Sequence, residues 1–191
     1  MPKLGMEPIR KAALVKATIT EIGRAGSLDV TVSQIAKRAG MSSALAHHYF
    51  GSKEQIFLAA MRHILTLYGA EVRGALAAAE GPKSRVQAIV RASFATSSFR
   101  REVVGAWLNF YVLSQTLPEA RRLLAIYQAR LQSNLVHSLR PIVGLRAEEV
   151  ARALGAMIDG VYIREALKGT APDGVSAAAM VMDCLERELR A

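Results

Sequence analysis

One cysteine, Cys184, stands in 191 residues. It can close no disulfide within the chain and forms no zinc-binding cluster, which excludes the disulfide-framework and zinc-finger classes. Long hydrophobic runs are missing too. The longest uncharged stretch, Val103 to Pro118, contains Asn109, Ser114, Gln115 and Thr116 and falls short of the roughly 20 apolar residues that a bilayer span needs. No membrane helix is expected. Met1-Pro-Lys-Leu-Gly leads at once into charged, helix-patterned residues, without the apolar core and cleavage site of a signal peptide. A cytoplasmic location is therefore expected. The spacings of catalysis are also absent: there is no Gly-x-Ser-x-Gly elbow, no phosphate loop and no histidine pair at i, i+4. Neither an enzyme nor a cofactor is expected.

Acidic residues are the minority, 16 against 25 Lys and Arg, leaving a net charge of +9. The excess is uneven. Residues 1–62 hold nine Lys/Arg against four acids, so +5 falls in the first third. A polyanion partner near the N-terminus fits that placement better than the total charge alone would suggest. With 51% hydrophobic and 21% charged residues the chain folds as a globule.

Alternating β-branched runs are nearly absent, and apolar residues recur with a helical period almost throughout, which predicts an all-α protein. A first helix is expected over 7–25, with Ala12, Val15, Ile19 and Ile22 on one stripe and Gly26 as its stop. Thr31-Val-Ser-Gln34 reads as a capping box opening a second helix with Val32, Ile35, Ala36 and Ala39 on its apolar side. Gly40 ends it. A two-turn helix over 43–49 follows, then a second capping box at Ser52-Lys-Glu-Gln55 and a long helix over 53–79. Further helices are expected at 83–98, 101–116, 119–140, 147–168 and 174–190, with Pro141 closing the third of these five. About nine helices result, divided into a helix-turn-helix domain at 1–52 and a larger helical domain at 53–191.

Two short helices around a glycine turn make a helix-turn-helix candidate. A two-turn helix buries little, so Ser43, Ala44 and His47 can face a DNA groove while Met41, Ala46 and Phe50 pack inward. Ser42, His48, Tyr49, Lys53 and the helix start at Thr31 are placed to hold phosphates through hydroxyl, ring N–H, ammonium and helix-end donors. A solvated helical hairpin is the bland alternative. Adjacent His47 and His48 point about 100° apart on a helix and lack neighbours with ligand spacing, so no metal is expected.

The frame Thr31-Val-x-x-Ile-Ala-x-x-Ala-Gly-x-Ser42, followed by Tyr49-Phe-x-Ser-Lys-Glu54, resembles the DNA-binding motif of the TetR family of repressors. Ala44, Ala46 and His47 depart from the residues common in the family's reading helix. The resemblance extends along the chain, through the opening Met1–Arg10, Ala106–Tyr111, Ser133–Val136 and Ile158–Arg164, to the choline-sensing branch of that family. It implies a homodimeric, operator-binding repressor of choline uptake and oxidation genes, with choline or a related quaternary amine as regulatory ligand. A family repressor answering to another small molecule, or a ligand-independent DNA-binding protein, are the other readings.

The residues themselves can build a cation pocket. Trp107, Phe110 and Tyr111, spaced i, i+3, i+4, share one helix face, and Asp159 and Tyr162, spaced i, i+3, share another. A trimethylammonium group has no N–H to donate, so its site needs aromatic faces and a carboxylate. Aromatic stripes also build ordinary cores, and Asp159 could pair with Arg152 or Arg164. Tyr127 fits cage and core equally well. Finally, Val150, Leu154, Met157, Ile158 and Val161, with Val175, Ala179, Met182, Leu185 and Leu189, suit a four-helix dimer interface within 147–190.

Overall fold

The computed structural model describes residues 5–97 and 99–190, apart from the side chain of Ala166. Met1 to Leu4, part of the opening segment used above, lie outside the described residues. The described chain is built from α1 (Met6–Ala25), α2 (Val32–Arg38), α3 (Ser43–Phe50), α4 (Lys53–Ala77), α5 (Gly81–Ser93), α6 (Arg101–Thr116), α7 (Pro118–Val143), α8 (Ala147–Leu167) and α9 (Gly174–Arg190). One turn of 3-10 helix, Gly144–Arg146, joins α7 to α8. Among the described residues no helix is long and apolar enough to cross a membrane.

The short helices start where side chains satisfy backbone donors. Thr31 Oγ1 accepts from the Gln34 N–H at 3.2 Å, and Gln34 Oε1 accepts from the Thr31 N–H at 2.7 Å, completing the capping box. Ser42 caps α3 by accepting from the Leu45 N–H at 3.2 Å. At α4 only half of the expected box forms: Ser52 accepts from the Gln55 N–H, and Gln55 makes no return bond.

Other boundaries differ from the sequence pattern. The helix expected over 83–98 stops at Ser93, because Phe94 and Phe99 fold back into an edge-to-face pair 5.4 Å apart, both buried. Pro141 does not close α7. It sits in the last turn, where a missing N–H removes one hydrogen bond, and the helix runs on to Val143 before the Gly144 N–H closes on the Arg140 carbonyl. On α1 the buried residues are Leu14, Val15, Ala17, Thr18 and Ile22; Ala12 is exposed.

The core is continuous through both halves of the chain. Ile35, Ala36, Ala46, Ile56 and Leu58 are fully enclosed around α1 to α4, and Leu135, Leu139, Leu154, Ile158 and Leu185 are enclosed around α7 to α9. That second group corrects the expected interface stripe. Val150, Leu154, Ile158, Val161 and Leu185 bury against the chain's own helices, whereas Val175 and Ala179 are exposed, and Met157, Met182 and Leu189 are half-buried.

Between the two halves, α1 crosses α6 at glycine. A Cβ on Gly23 would lie 2.3 Å from the Glu102 Cα, and one on Gly105 would lie 3.3 Å from the Gly23 Cα. Asn109 reinforces the crossing by donating from Nδ2 to the Gly26 carbonyl at 3.3 Å. Gly23→Ala must therefore push backbone against backbone and should cost about 1–3 kcal/mol. Gly74, in α4, has nothing within 4 Å of its Cβ position, so Gly74→Ala should instead stabilise by about 0.5–1 kcal/mol. Urea melts of the two variants should move in opposite directions; a neutral Gly23→Ala would contradict the close crossing.

Candidate DNA-binding face and ligand cage

Of α3, Ala46 is fully buried, Met41 and Phe50 at its ends are half-buried against the core, and Ala44, His47 and His48 are exposed. Ser43 is half-buried. His47 Nδ1 lies 3.1 Å from the Gly51 carbonyl, a geometry that requires the proton on Nδ1 and turns Nε2 outward. Thr31 and Ser42 spend hydroxyl lone pairs on helix caps, and the Thr31 hydroxyl also donates to Gln34 Oε1 at 2.9 Å. What Thr31 offers a phosphate is thus the start of α2 and not a free hydroxyl.

Tyr49 is held from α1 as well as from its own helix. Arg10 Nη1 donates to Tyr49 Oη at 3.4 Å, Lys11 Nζ stands 5.9 Å from the ring centre, and the His48 ring is 5.5 Å away. Lys53 rests its ammonium 5.4 Å from the Phe57 ring. Arg38 on α2 pairs with Glu21 on α1, fixing the two helices together. Sequence reasoning missed Arg10 and Lys11. Their only signal was membership of the basic N-terminal third.

The second site is centred on Trp107. Its ring lies 4.9 Å from Tyr127, 5.7 Å from both Phe110 and Tyr111, and 6.4 Å from Tyr162. Asp159 Oδ1 accepts from Tyr127 Oη at 3.1 Å. Ser93 Oγ donates to the Ile89 carbonyl at 3.0 Å, so at 3.1 Å from Tyr68 Oη it serves as acceptor for that hydroxyl. A cavity of about 30 Å³ lies between these groups, bounded by Trp107, Tyr127, Tyr162 and Asp159 and, on the other side, Tyr68, Ser93, Ile64 and Ile158.

Three of the residues expected in a cage, Trp107, Asp159 and Tyr162, line this cavity. Phe110 is fully buried behind Trp107, and Tyr111 packs against the Trp107 ring with a buried hydroxyl close enough to Asp159 to help hold its carboxyl down. Tyr127, equivocal in the sequence, lies at the centre. Tyr68, Ser93 and Ile64 were not anticipated, since α4 and α5 carry no local pattern that points at α8.

The electrostatics are one-sided. Among the described residues Asp159 forms no ion pair, and neither Arg152 nor Arg164 reaches it. Burial pushes its carboxyl up from the usual range, and the Tyr127 hydrogen bond pulls the other way. The tyrosines respond in kind. Burial, opposed by the Ser93 bond and aided by the Asp159 charge, raises the Tyr68 hydroxyl to about 12, and burial with the Asp159 charge raises Tyr111 and Tyr127 as well. All three remain neutral donors at physiological pH. A half-buried carboxylate facing hydroxyls and ring faces is complementary to a cation without N–H groups.

Comparison with known proteins identifies the family. The family of bacterial regulatory proteins called tetR matches residues 14–60, and the BetI-type transcriptional repressor C-terminal family matches residues 82–190. The chain is 50% identical over 190 residues to the HTH-type transcriptional regulator BetI of Brucella anthropi, covering 99% of this chain and 98% of that one. It is 48% identical over 193 residues to BetI of Rhizobium meliloti, covering 100% and 95%. A transcriptional regulator from Saccharomonospora viridis, solved in complex with choline, shares the fold at a TM-score of 0.81 and 23% identity, covering 92% of this chain and 95% of that one. A regulator from Pseudomonas aeruginosa PAO1 does so at 0.82 and 23%, covering 98% and 93%.

The raised Asp159 carboxyl has a consequence for stability. A group whose folded pKa exceeds its unfolded value favours folding while protonated, and that advantage is lost as pH rises through the folded pKa. At neutral pH the wild type therefore carries the cost of a buried charge that Asp159→Asn removes. Asp159→Asn should melt higher than wild type near neutral pH, and the gap should close as the medium is acidified. An equal or lower melting temperature at neutral pH would show that the carboxylate is compensated after all.

Proposed function

This chain belongs to the TetR family of bacterial transcriptional regulators, with a BetI-type repressor C-terminal region, and on that premise we propose a homodimeric operator-binding repressor of choline uptake and glycine-betaine synthesis genes that choline releases. The observation that carries the effector assignment is the Asp159 carboxylate, set among aromatic rings and tyrosine hydroxyls with no ion-pair partner among the described residues. That the Saccharomonospora regulator of the same fold was solved with choline supports it.

In this reading Ala44, His47 and Ser43 meet base edges, and Ser42, His48, Tyr49, Lys53 and the start of α2 at Thr31 hold phosphates, with Arg10 and Lys11 backing Tyr49. The DNA-binding domain, residues 1–52, ends at the Ser52 cap. The ligand-binding and dimerisation domain, 53–191, begins with α4, which packs against α1 and α3 as well as α5, α6 and α7. Dimerisation through 147–190 uses the outward faces of α8 and α9, where Ala153, Ala156, Val175, Ala179 and Met180 are exposed. A two-fold dimer places two reading helices about one DNA turn apart. Lys53→Ala should weaken every sequence alike and reduce the salt slope by about one unit, whereas His47→Ala should alter preference at one or two base pairs. Anisotropy titrations over a salt series, with operator and scrambled duplexes, separate these outcomes.

Release needs a ligand that prefers the DNA-incompetent arrangement, by about tenfold (1.4 kcal/mol) or more. The geometry offers a route. A cavity of about 30 Å³ has room for about one water molecule, so a trimethylammonium group enters only if the rings part. Trp107 rides on α6, whose Gly105 and Asn109 clasp α1. Displacing Trp107 thereby loads the helix on which the DNA-binding half is packed. Ring faces at about 0.5–2 kcal/mol each, together with the carboxylate, supply millimolar-to-micromolar affinity.

Trp107→Ala should lose several-fold to about a hundredfold in choline affinity while keeping operator affinity, giving a repressor that choline cannot lift. Because choline needs the ionised carboxylate, wild-type affinity should also fall as pH drops through the raised Asp159 value. The neutral isostere 3,3-dimethylbutanol should show neither the pH dependence nor a loss on Asp159→Asn. Calorimetry with both ligands checks this; undiminished choline binding by both variants would remove the cage from the mechanism.

A further inference from the structure

A second cavity, of about 490 Å³, opens where α1, α4 and the start of α6 meet. Its size is that of a small-molecule site, which runs to roughly 300–1,000 Å³. Lys16 enters from α1, His63 from α4 and Arg100 from the residue preceding α6. Behind them lies an apolar floor of Ile19, Ile64, Leu67 and Val103. Leu67 is 48% exposed and leaves apolar surface uncovered beside the buried Ile64 and Val103.

The cations are unneutralised. Some basic side chains find carboxylates, as in Lys11 with Glu7, Lys83 with Glu186 and Arg146 with Glu188; what sets Lys16 and Arg100 apart is that both line one concave site. Among the described residues Lys16 and Arg100 have no carboxylate within ion-pair distance, although Glu102 lines the same wall. Glu71, the other nearby acid, is occupied in accepting from Ser97. A concave site with surplus positive charge and a greasy floor is complementary to an amphiphilic anion.

We propose that this cavity binds a small organic anion, its carboxylate or phosphate head among Lys16, His63 and Arg100 and its apolar body on Ile19, Ile64, Leu67 and Val103. The site is separate from the choline cage in both charge and location, and does not depend on that assignment. Ile64 forms a wall of each cavity, and the head group bridges α1 on the DNA-binding side to the start of α6 on the ligand side. An anion here is therefore a second effector acting on the same helix crossing.

His63 is the reporter. Burial and the Lys16 charge hold its imidazole below the usual histidine range, and an anion in the cavity must raise it. The charged groups that bear on it are Lys16 from α1, Arg100 and Glu102 from the start of α6, and Glu71 from α4 through Ser97. The test follows the His63 ring resonances of the full-length dimer across pH with hexanoate, hexyl phosphate, inorganic phosphate and neutral hexanol. We expect hexanoate or hexyl phosphate to raise the His63 titration midpoint, the larger rise identifying the head group, with hexanol and inorganic phosphate binding about tenfold or more weakly. The double variant Lys16→Gln, Arg100→Gln, verified as folded by its melting curve, should lose the response. An unmoved His63 midpoint, an equal response in the double variant, or hexanol or inorganic phosphate binding as tightly as the amphiphilic anions would each overturn the proposal.

Discussion

The close crossing of α1 and α6 is the constraint on which the rest depends. With glycine at 23 and 105 the two backbones meet without side chains between them, and Asn109 spans from α6 to the end of α1. Interfaces packed this tightly do not slide by small amounts; they hold one arrangement or move to another. The same helix turns Trp107, Phe110 and Tyr111 toward the interior. One sixteen-residue element thus has the DNA-binding half fastened to one face and the aromatic cluster to the other.

In the proposed function the aromatic cluster is itself a compromise between stability and recognition. Replacing Asp159 by an apolar residue would spare the fold a buried charge, and an arginine partner would neutralise it, but neither would leave a site for a cation. Instead the carboxylate is tethered by the Tyr127 hydroxyl, which orients it without cancelling its charge. Tyr68 is oriented in turn by Ser93, so the direction of that hydroxyl is set in advance.

Much of this was legible in the sequence because it depends on local spacing. Thr31 and Ser52 marked helix starts through caps that need only four consecutive residues, and the i, i+3 spacing of Asp159 and Tyr162 put both on one side of α8. What escaped notice depends on which helix packs where. Periodicity shows that α8 and α9 each have an apolar side, but not that Leu154, Ile158 and Leu185 are covered by the chain's own α7 and its neighbours. Tyr68 and Ser93 join the cavity from α4 and α5, some 60 to 90 residues away from Asp159 in sequence, a juxtaposition no local pattern encodes. Pro141 misled for the opposite reason: a strong local rule lost to a helix already committed, with only its final turn affected.

The direction in which the cage can widen follows from what surrounds it. On the α7–α8 side, Leu135, Leu139, Leu154 and Ile158 are fully enclosed, and shifting them would open voids that cost tens of calories per Å³. On the opposite side Ile64 separates the cage from the cavity of about 490 Å³ at the α1–α4–α6 junction. Space for a displaced side chain exists there without disrupting packed core. Widening toward that junction moves α4 and α6 relative to α1, and these are the helices that carry the DNA-binding half. In the proposed switch the void beside the crossing gives the ligand-bound arrangement somewhere to go, and whatever fills it would change how readily that move occurs.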